Sequence, residues 1–386
     1  MEDTPKENII RLRQGDIEID VALPWDTFDK TGRLLLRKGC TVASSRQLLT
    51  LLEKGVYRQS RTEDAQKKSP PLPQGPSVNP FAAVDDVVNR SRSVLCSIAE
   101  GRAEDAGQRI MTLCGEIQEL AGAAPDALLG AMHLGQDAFY PIAHSVYCAL
   151  LTELIARRLQ YETERRRTLI AAALSSNVGM LDLQEKLWKH QGPLPAGAWD
   201  DIKQHPQRGV ALLKAAGIAD DEWLEIVEHH HEKGDGSGYN LGLSVNEINR
   251  GAKIISVADR YHAFISDRAQ RAGFTSTESL RKLFLQKEGL DEECIHAFIK
   301  GIGVYPPGTW VRLFNGEIGV VLRRGDDGAS PQVASVVSPH GASYPKHFVR
   351  DCRDTEYAIK EMTAPPSIPV TNLRELWDIK KSLSNG

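Results

Sequence analysis

His229-His230-His231-Glu232-Lys233-Gly234-Asp235-Gly236-Ser237-Gly238-Tyr239-Asn240 is the stretch on which the reading of this 386-residue chain turns. Adjacent histidines followed by an acid are a costly choice for a solvated helix end and a natural one for a metal site. A lone histidine is more often a satisfied core or surface residue than a ligand. Three in a row, feeding a glycine-rich loop, shift that balance towards metal. The following Asp-Gly-Ser-Gly-Tyr reads as a turn whose glycines permit positive φ and close backbone approach to a ligand.

The sequence around this run is helical in pattern. Between residues 81 and 303, apolar positions recur at three- and four-residue spacing in 84–99, 103–120, 144–159, 165–174, 198–216, 220–231, 246–266, 276–286 and 291–299. That periodicity, with few β-rich runs, predicts an all-α bundle. Residues 1–60 read instead as a small mixed α/β domain. There, 17–23 alternates as a strand, Asp29-Lys30-Thr31-Gly32 turns, Leu34–Leu36 returns as a second strand and 44–54 forms a helix. Residues 61–80 have the Pro, Ser, Gln and Lys content of a linker. After Tyr305-Pro306-Pro307-Gly308 the chain predicts a hairpin around Asn315-Gly316, with a further strand at 333–337. The expected organisation is therefore mainly α, with a β-rich appendage over 304–360 and a polar tail over 361–386.

Composition narrows the function classes. The chain is 41% hydrophobic and 25% charged, with a net charge of −4, which gives no electrostatic footprint for nucleic acid. No apolar run approaches the roughly 18 residues needed to span a bilayer. Six cysteines lack CxxC spacing and read as reduced, mostly buried thiols. The polar, acidic start is unlike a secretory signal, so a cytoplasmic protein is expected.

Further candidate ligands lie in the helical region. His144 opens one helix. His205 precedes Pro206, which can stand at the first position of a helix and leave the histidine at its N-terminus. His230 and His231 end another helix. Asp259 sits among Ile254, Ile255, Val257 and Ala258, where an ionised carboxylate needs a partner or a metal. His229 is expected to be exposed, and His133, His190, His262, His296, His340 and His347 to be structural or surface residues. Trp223 and Trp310 read as core.

In this order the elements resemble the HD-GYP family, the cyclic di-GMP phosphodiesterase branch of the HD phosphohydrolases. The resemblance covers residues 138–303. It rests on His144-Ser145-Val146, His205-Pro206 with Gly209, and His230-His231-Glu232 with Asp235-Gly236-Ser237-Gly238-Tyr239. It continues through Gly242-Leu243, Glu247-Ile248, Lys253-Ile254, Val257-Ala258-Asp259 and Ser266-Asp267-Arg268 with Arg271. It implies a helical bundle holding two or three Fe or Mn ions on His and carboxylate side chains, and a bacterial signalling role. Hydrolysis by such a centre rests on metal-generated hydroxide and on neutralisation of phosphoryl charge. It also implies phosphate contacts from Arg268 and Arg271 and ligand contacts at Gly238 and Tyr239. Nine residues at about 100° each put Arg268 opposite Asp259, so the helix must end or bend near Ser266-Asp267.

The sequence departs from the family at its name-giving pair. Registered on Gly179, the His, Asp and Lys positions hold Ser176, Asn177 and Met180. Asn is neutral and does not bridge two ions as a carboxylate does, Ser is a weak ligand, and Met offers no cation. Tyr140 stands where some members have a carboxylate for a third metal, and Asn240 replaces the Pro. His144, His205, His230, His231 and Asp259 then remain for metal, with one negative charge, enough for one Fe or Mn ion rather than a two-metal centre. The expectation is a degenerate member, impaired in hydrolysis, that binds cyclic di-GMP or signalling partner proteins. It makes no nucleic-acid contact and has no membrane span, and homodimerisation is compatible with it. An active phosphodiesterase with an atypical centre and a pure interaction scaffold are the alternatives.

Overall fold

The computed structural model describes residues 9–11, 23, 26–29, 33–37, 39–40, 42, 57–59, 79–135, 140–269, 273–285, 289–325, 328–367 and 373–377. The strand expected at 17–23 (Leu23 apart), the helix at 44–54, most of the linker at 61–80, and Arg271 lie outside the described residues. The chain divides into two compact units, residues 1–76 and 77–385.

The first unit holds an antiparallel sheet of β1 (Ile9–Arg11), β2 (Thr27–Phe28), β3 (Leu34–Leu36) and β4 (Tyr57–Gln59), in the order β1-β4-β2-β3. Leu34–Leu36 pairs with Thr27–Phe28. Asp29 helps close this hairpin. Its Oδ1 accepts the Arg33 N–H at 3.0 Å and closes the turn directly after β2. Thr27 Oγ1 then accepts from the Leu36 N–H at 3.0 Å and donates to the Leu36 carbonyl at 3.1 Å.

In the second unit, α1 (Pro80–Ala99) begins where Asn79 accepts the N–H groups of Phe81 and Ala82, with Pro80 at the first helical position. There follow α2 (Ala106–Ala123), α3 (Pro125–Leu134), α4 (Tyr140–Arg158), α5 (Thr163–Ser175), α6 (Leu181–Lys189), α7 (Ala198–Ala215), α8 (Asp221–His229), α9 (Arg250–Ile265), α10 (Ser276–Leu285) and α11 (Glu292–Ile302). The α4 sequence is apolar or small on every face, and nearly all its residues are buried among α1, α2, α5, α6, α9 and α11. It is the axis of the bundle. Its acid Glu153 is fully buried and is held by Arg157 and Arg166, each at 3.1 Å.

Two expectations change in α7 and at the C-terminus. Pro206 lies inside α7, so His205 is mid-helix and not at a helix start. The sheet of β5 (Trp310–Leu313), β6 (Ile318–Arg323), β7 (Gln332–Val337), β8 (Ser343–Asp351) and β9 (Ile359–Met362) has the order β8-β7-β6-β5-β9. The segment expected as a polar tail from residue 361 thus starts inside β9. Further on, Trp377 is buried against Phe81 at 5.5 Å between ring centres, and its Nε1–H donates to the Leu322 carbonyl at 3.0 Å. Val320, Leu322, Ala334, Val336 and Val337 of the sheet share one apolar core with the helices. Trp223 and Trp310 are buried, as expected.

Candidate metal centre

Two clusters of donor atoms form inside the helical unit. His205, His230 and His231 have ligand atoms within 4.8 Å of one another, and so do His144, Cys148 and Asp259. Asp259 links them, since its charge acts on His205, His230 and His231 while its Oδ1 lies 2.8 Å from His144 Nε2. All five sequence candidates therefore meet in one region.

The backbone aims the first cluster. Pro206 has no N–H for the Ile202 carbonyl four residues back, and His205 Nδ1 lies 2.6 Å from that oxygen. His230 follows the last turn of α8, where carbonyls lack helical partners, and its Nδ1 lies 2.7 Å from the Val227 oxygen. Each ring spends its Nδ1–H on a carbonyl, so each turns an Nε2 lone pair inward, 3.2 Å from the other. Two facing lone pairs repel unless a cation or a proton stands between them. Burial argues against the proton. It lowers the His205 imidazole to about 3, with the His230 charge acting the same way, and it lowers His230 and His231. Neutral, inward-facing imidazoles fit a metal ion.

In the second cluster, burial pushes the Asp259 carboxyl up. The hydrogen bond from His144 and the charges of His144, His231 and His230 outweigh it and hold the group well below the usual carboxylate range. Cys148, one turn after His144 on α4, brings Sγ to 3.6 Å from His144 Nε2. Sequence reading missed it, although the four-residue spacing places both on one helix face. His262 was also missed as a site neighbour: it is buried, with Nδ1 2.8 Å from His144 Nδ1. His229 is buried, not exposed, and its Nδ1 accepts the Asn249 N–H at 3.3 Å. Tyr140 stacks on Trp188, with ring centres 5.7 Å apart, and places its hydroxyl 3.4 Å from His144 Nδ1. An aromatic cluster thus stands where a carboxylate was sought.

The segment registered with the His-Asp pair is held tightly. Ser176 and Asn177 are buried, the Ser176 hydroxyl donates to the Ala173 carbonyl at 3.1 Å, and Asn177 Oδ1 has no hydrogen-bond partner among the described residues. A Cβ on Gly179 would stand 2.2 Å from the His205 carbonyl oxygen, so only glycine lets this turn touch α7.

The glycine-rich loop has its own clamp. Glu232 is buried and accepts the N–H groups of Leu241 at 2.5 Å, Gly242 at 3.2 Å and Leu243 at 2.9 Å. It is a loop brace and not part of either donor cluster. Gly238 passes so close that a Cβ would lie 2.3 Å from the Lys233 nitrogen, which gives it a packing role. Tyr239 stacks on His231 with ring centres 4.8 Å apart, and half-exposed Trp199 meets Tyr239 edge-on at 5.8 Å. α9 ends at Ile265, and Ser266 turns extended at φ −75 and ψ 135, as the Arg268 reading requires. Arg268 is exposed and lies beside the buried Tyr140 hydroxyl, whose ionisation burial pushes up to about 12 against the pull of Arg268.

Residues 135–293 match the HD domain family. The chain is 30% identical over 264 residues to the cyclic di-GMP phosphodiesterase PA4108 of Pseudomonas aeruginosa, covering 66% of this chain and 63% of that protein. Residues 135–293 of this chain form an HD domain. It is also 29% identical to the 3'3'-cGAMP-specific phosphodiesterase 3 of Vibrio cholerae, covering 43% of this chain and 36% of that protein. To the cyclic di-GMP phosphodiesterase response regulator RpfG of Xanthomonas campestris it is 27% identical, covering 52% of this chain and 53% of that protein. The chain thus spans less than two thirds of the length of each of these relatives. Among solved structures, Bd1817, an HDG"Y"P protein from Bdellovibrio bacteriovorus, shares the fold. Its TM-score is 0.50 at 15% identity, over 76% of this chain and 99% of that one. Among the described residues no helix is long and apolar enough to cross a membrane.

Proposed function

We propose that this HD-GYP chain is a signalling protein impaired in hydrolysis, which binds cyclic di-GMP or a partner protein at a site holding one Fe or Mn ion. The contrast between the two halves of the site carries the reading. His205 and His230 are oriented as ligands from behind, whereas the Ser176 hydroxyl is spent on its own helix and Asn177 brings no charge. A divalent ion held by Asp259 and the imidazoles around it would supply Lewis acidity at a phosphate oxygen. The four imidazoles and Asp259 carry one formal negative charge, too little to offset the four positive charges of two divalent ions. Met180 replaces the cation that would assist phosphate, and Arg268 supplies one from the exposed edge. Half-exposed Trp199, against Tyr239, presents an aromatic face of the kind on which bases stack. The relatives named for cyclic dinucleotides support the ligand class.

Calorimetry of the full chain with cyclic di-GMP and Mn tests this reading: saturable heat is expected, with no pGpG or GMP formed. Absence of heat at high-micromolar protein removes the sensor and leaves partner binding. Turnover lost in His230→Ala establishes an active phosphodiesterase instead. Near-zero metal after anaerobic purification points to an interaction scaffold closed around Ser176 and Met180.

A further inference from the structure

We infer that Cys148 is a metal ligand, forming with His144 and Asp259 a soft donor triad that fixes which class of ion the centre takes. This rests on the reading that the centre binds a transition metal, and it adds a donor that the family resemblance does not provide. The geometry distinguishes ligation from nucleophilic catalysis. In a Cys-His-Asp relay the thiol and the carboxylate address opposite ring nitrogens. Here both converge on one: Asp259 Oδ1 lies 2.8 Å and Cys148 Sγ 3.6 Å from His144 Nε2, while Sγ stands 4.0 Å from Nδ1. Three donor atoms within 4.8 Å, on two packed helices, surround one point.

The other side of the His144 ring completes the arrangement. His262 Nδ1 faces His144 Nδ1 at 2.8 Å, so a proton between them can be carried by His144 and leave its Nε2 lone pair for an ion. His262 is buried, and the Ser266 hydroxyl 3.3 Å from the same Nδ1 donates to the His262 carbonyl at 2.6 Å, which leaves that Nδ1 to accept from His144. On binding, the Sγ–H bond is exchanged for an Sγ–metal bond and the proton leaves to solvent. The thiolate adds a second negative charge to that of Asp259 and partly replaces the one missing at Asn177. Within the Fe-or-Mn pair a sulfur donor shifts the preference towards Fe, and it also suits Co or Zn. Cys148 thus acts in this chain as the compensating ligand.

Cobalt(II) titration of the full chain reads this directly. A near-ultraviolet sulfur-to-cobalt charge-transfer band is expected, absent in Cys148→Ser, where cobalt affinity should fall at least about tenfold. Should that variant not fold, X-ray absorption of the wild-type zinc form still tests the claim, by a sulfur scatterer at about 2.3 Å. Cobalt bound with only nitrogen and oxygen neighbours, or an unchanged band in Cys148→Ser, overturns the Cys148 ligand and leaves the metal reading standing. Failure to bind cobalt, zinc, Fe or Mn overturns both.

Discussion

His205 and His230 meet Nε2 to Nε2 at 3.2 Å, and each is tied through Nδ1 to a main-chain carbonyl. Neither tie is a side-chain accident. One oxygen is free because a proline interrupts α7, and the other because α8 has ended. The fold spends two defects of helical hydrogen bonding on holding two imidazoles as donors.

Pro206→Ala should separate stability from metal binding. The substitution removes a helix-interior proline, a change worth up to about 3 kcal/mol in favour of the helix, and supplies an N–H that competes for the Ile202 oxygen. Tm of the metal-free protein should rise while affinity for Co or Mn falls about 10- to 100-fold. Unchanged affinity would show that the Ile202 contact does not orient His205.

Stability of the metal-free protein should fall on mild acidification. Burial lowers His205 to about 3, and also lowers His230, His231 and His262, whereas unfolded histidines titrate near about 6.5. Between these values the unfolded chain holds more protons. For His205 the neutral-imidazole contribution is therefore complete above about pH 6.5 and is lost as pH falls towards about 3, at up to about 1.4 kcal/mol per unit, and His230, His231 and His262 add to it in the same direction. Asp259, whose carboxyl is depressed, keeps its contribution until pH falls below the usual carboxylate range. Urea midpoints at pH 7.5 and 5.5 in chelator check this, and equal midpoints would contradict buried neutral rings.

The bundle was legible where apolar residues mark one helix face, and less so elsewhere. α3 is short and almost wholly apolar or small in its middle turns, so no polar face reveals its period, and α6 has only nine residues. Pro206 misled because proline is commonest at helix starts, whereas here α7 absorbs it by giving the freed carbonyl to His205. All five expected ligands lie in the two clusters, Asp259 marked in the sequence by its apolar surroundings and the histidines by the order of the family motifs. His262 and Cys148 were not seen, since their roles depend on how α9 packs against α4, a contact between residues 118 apart in the case of His262 and His144.

Glu232→Ala should loosen the glycine-rich loop more than it disturbs the bundle. Three backbone N–H groups lose a buried carboxylate, a change expected to cost about 2–4 kcal/mol. Limited proteolysis should then cut within 233–243 well before the wild type is cut there. Glu232→Gln, which keeps one acceptor oxygen, should lie between the two. Equal protease resistance in Glu232→Ala would deny the brace.

The sharpest change is at Asn177. Its Oδ1 is buried without a partner among the described residues, so Asn177→Asp places a carboxylate that a cation would compensate. Alone and in chelator, the variant should lose a few kcal/mol, about 2–4, and recover most of that on adding Mn or Fe. Combined with Ser176→His and Met180→Lys, it rebuilds the family's His-Asp and Lys set, and two metals per chain with turnover of cyclic di-GMP are expected. The Asn177→Asp Tm measured with and without metal is the deciding quantity, because it reads the site without requiring catalysis. A metal-independent Tm in that variant, together with no metal gain in the triple variant, would place the defect somewhere other than residues 176–180.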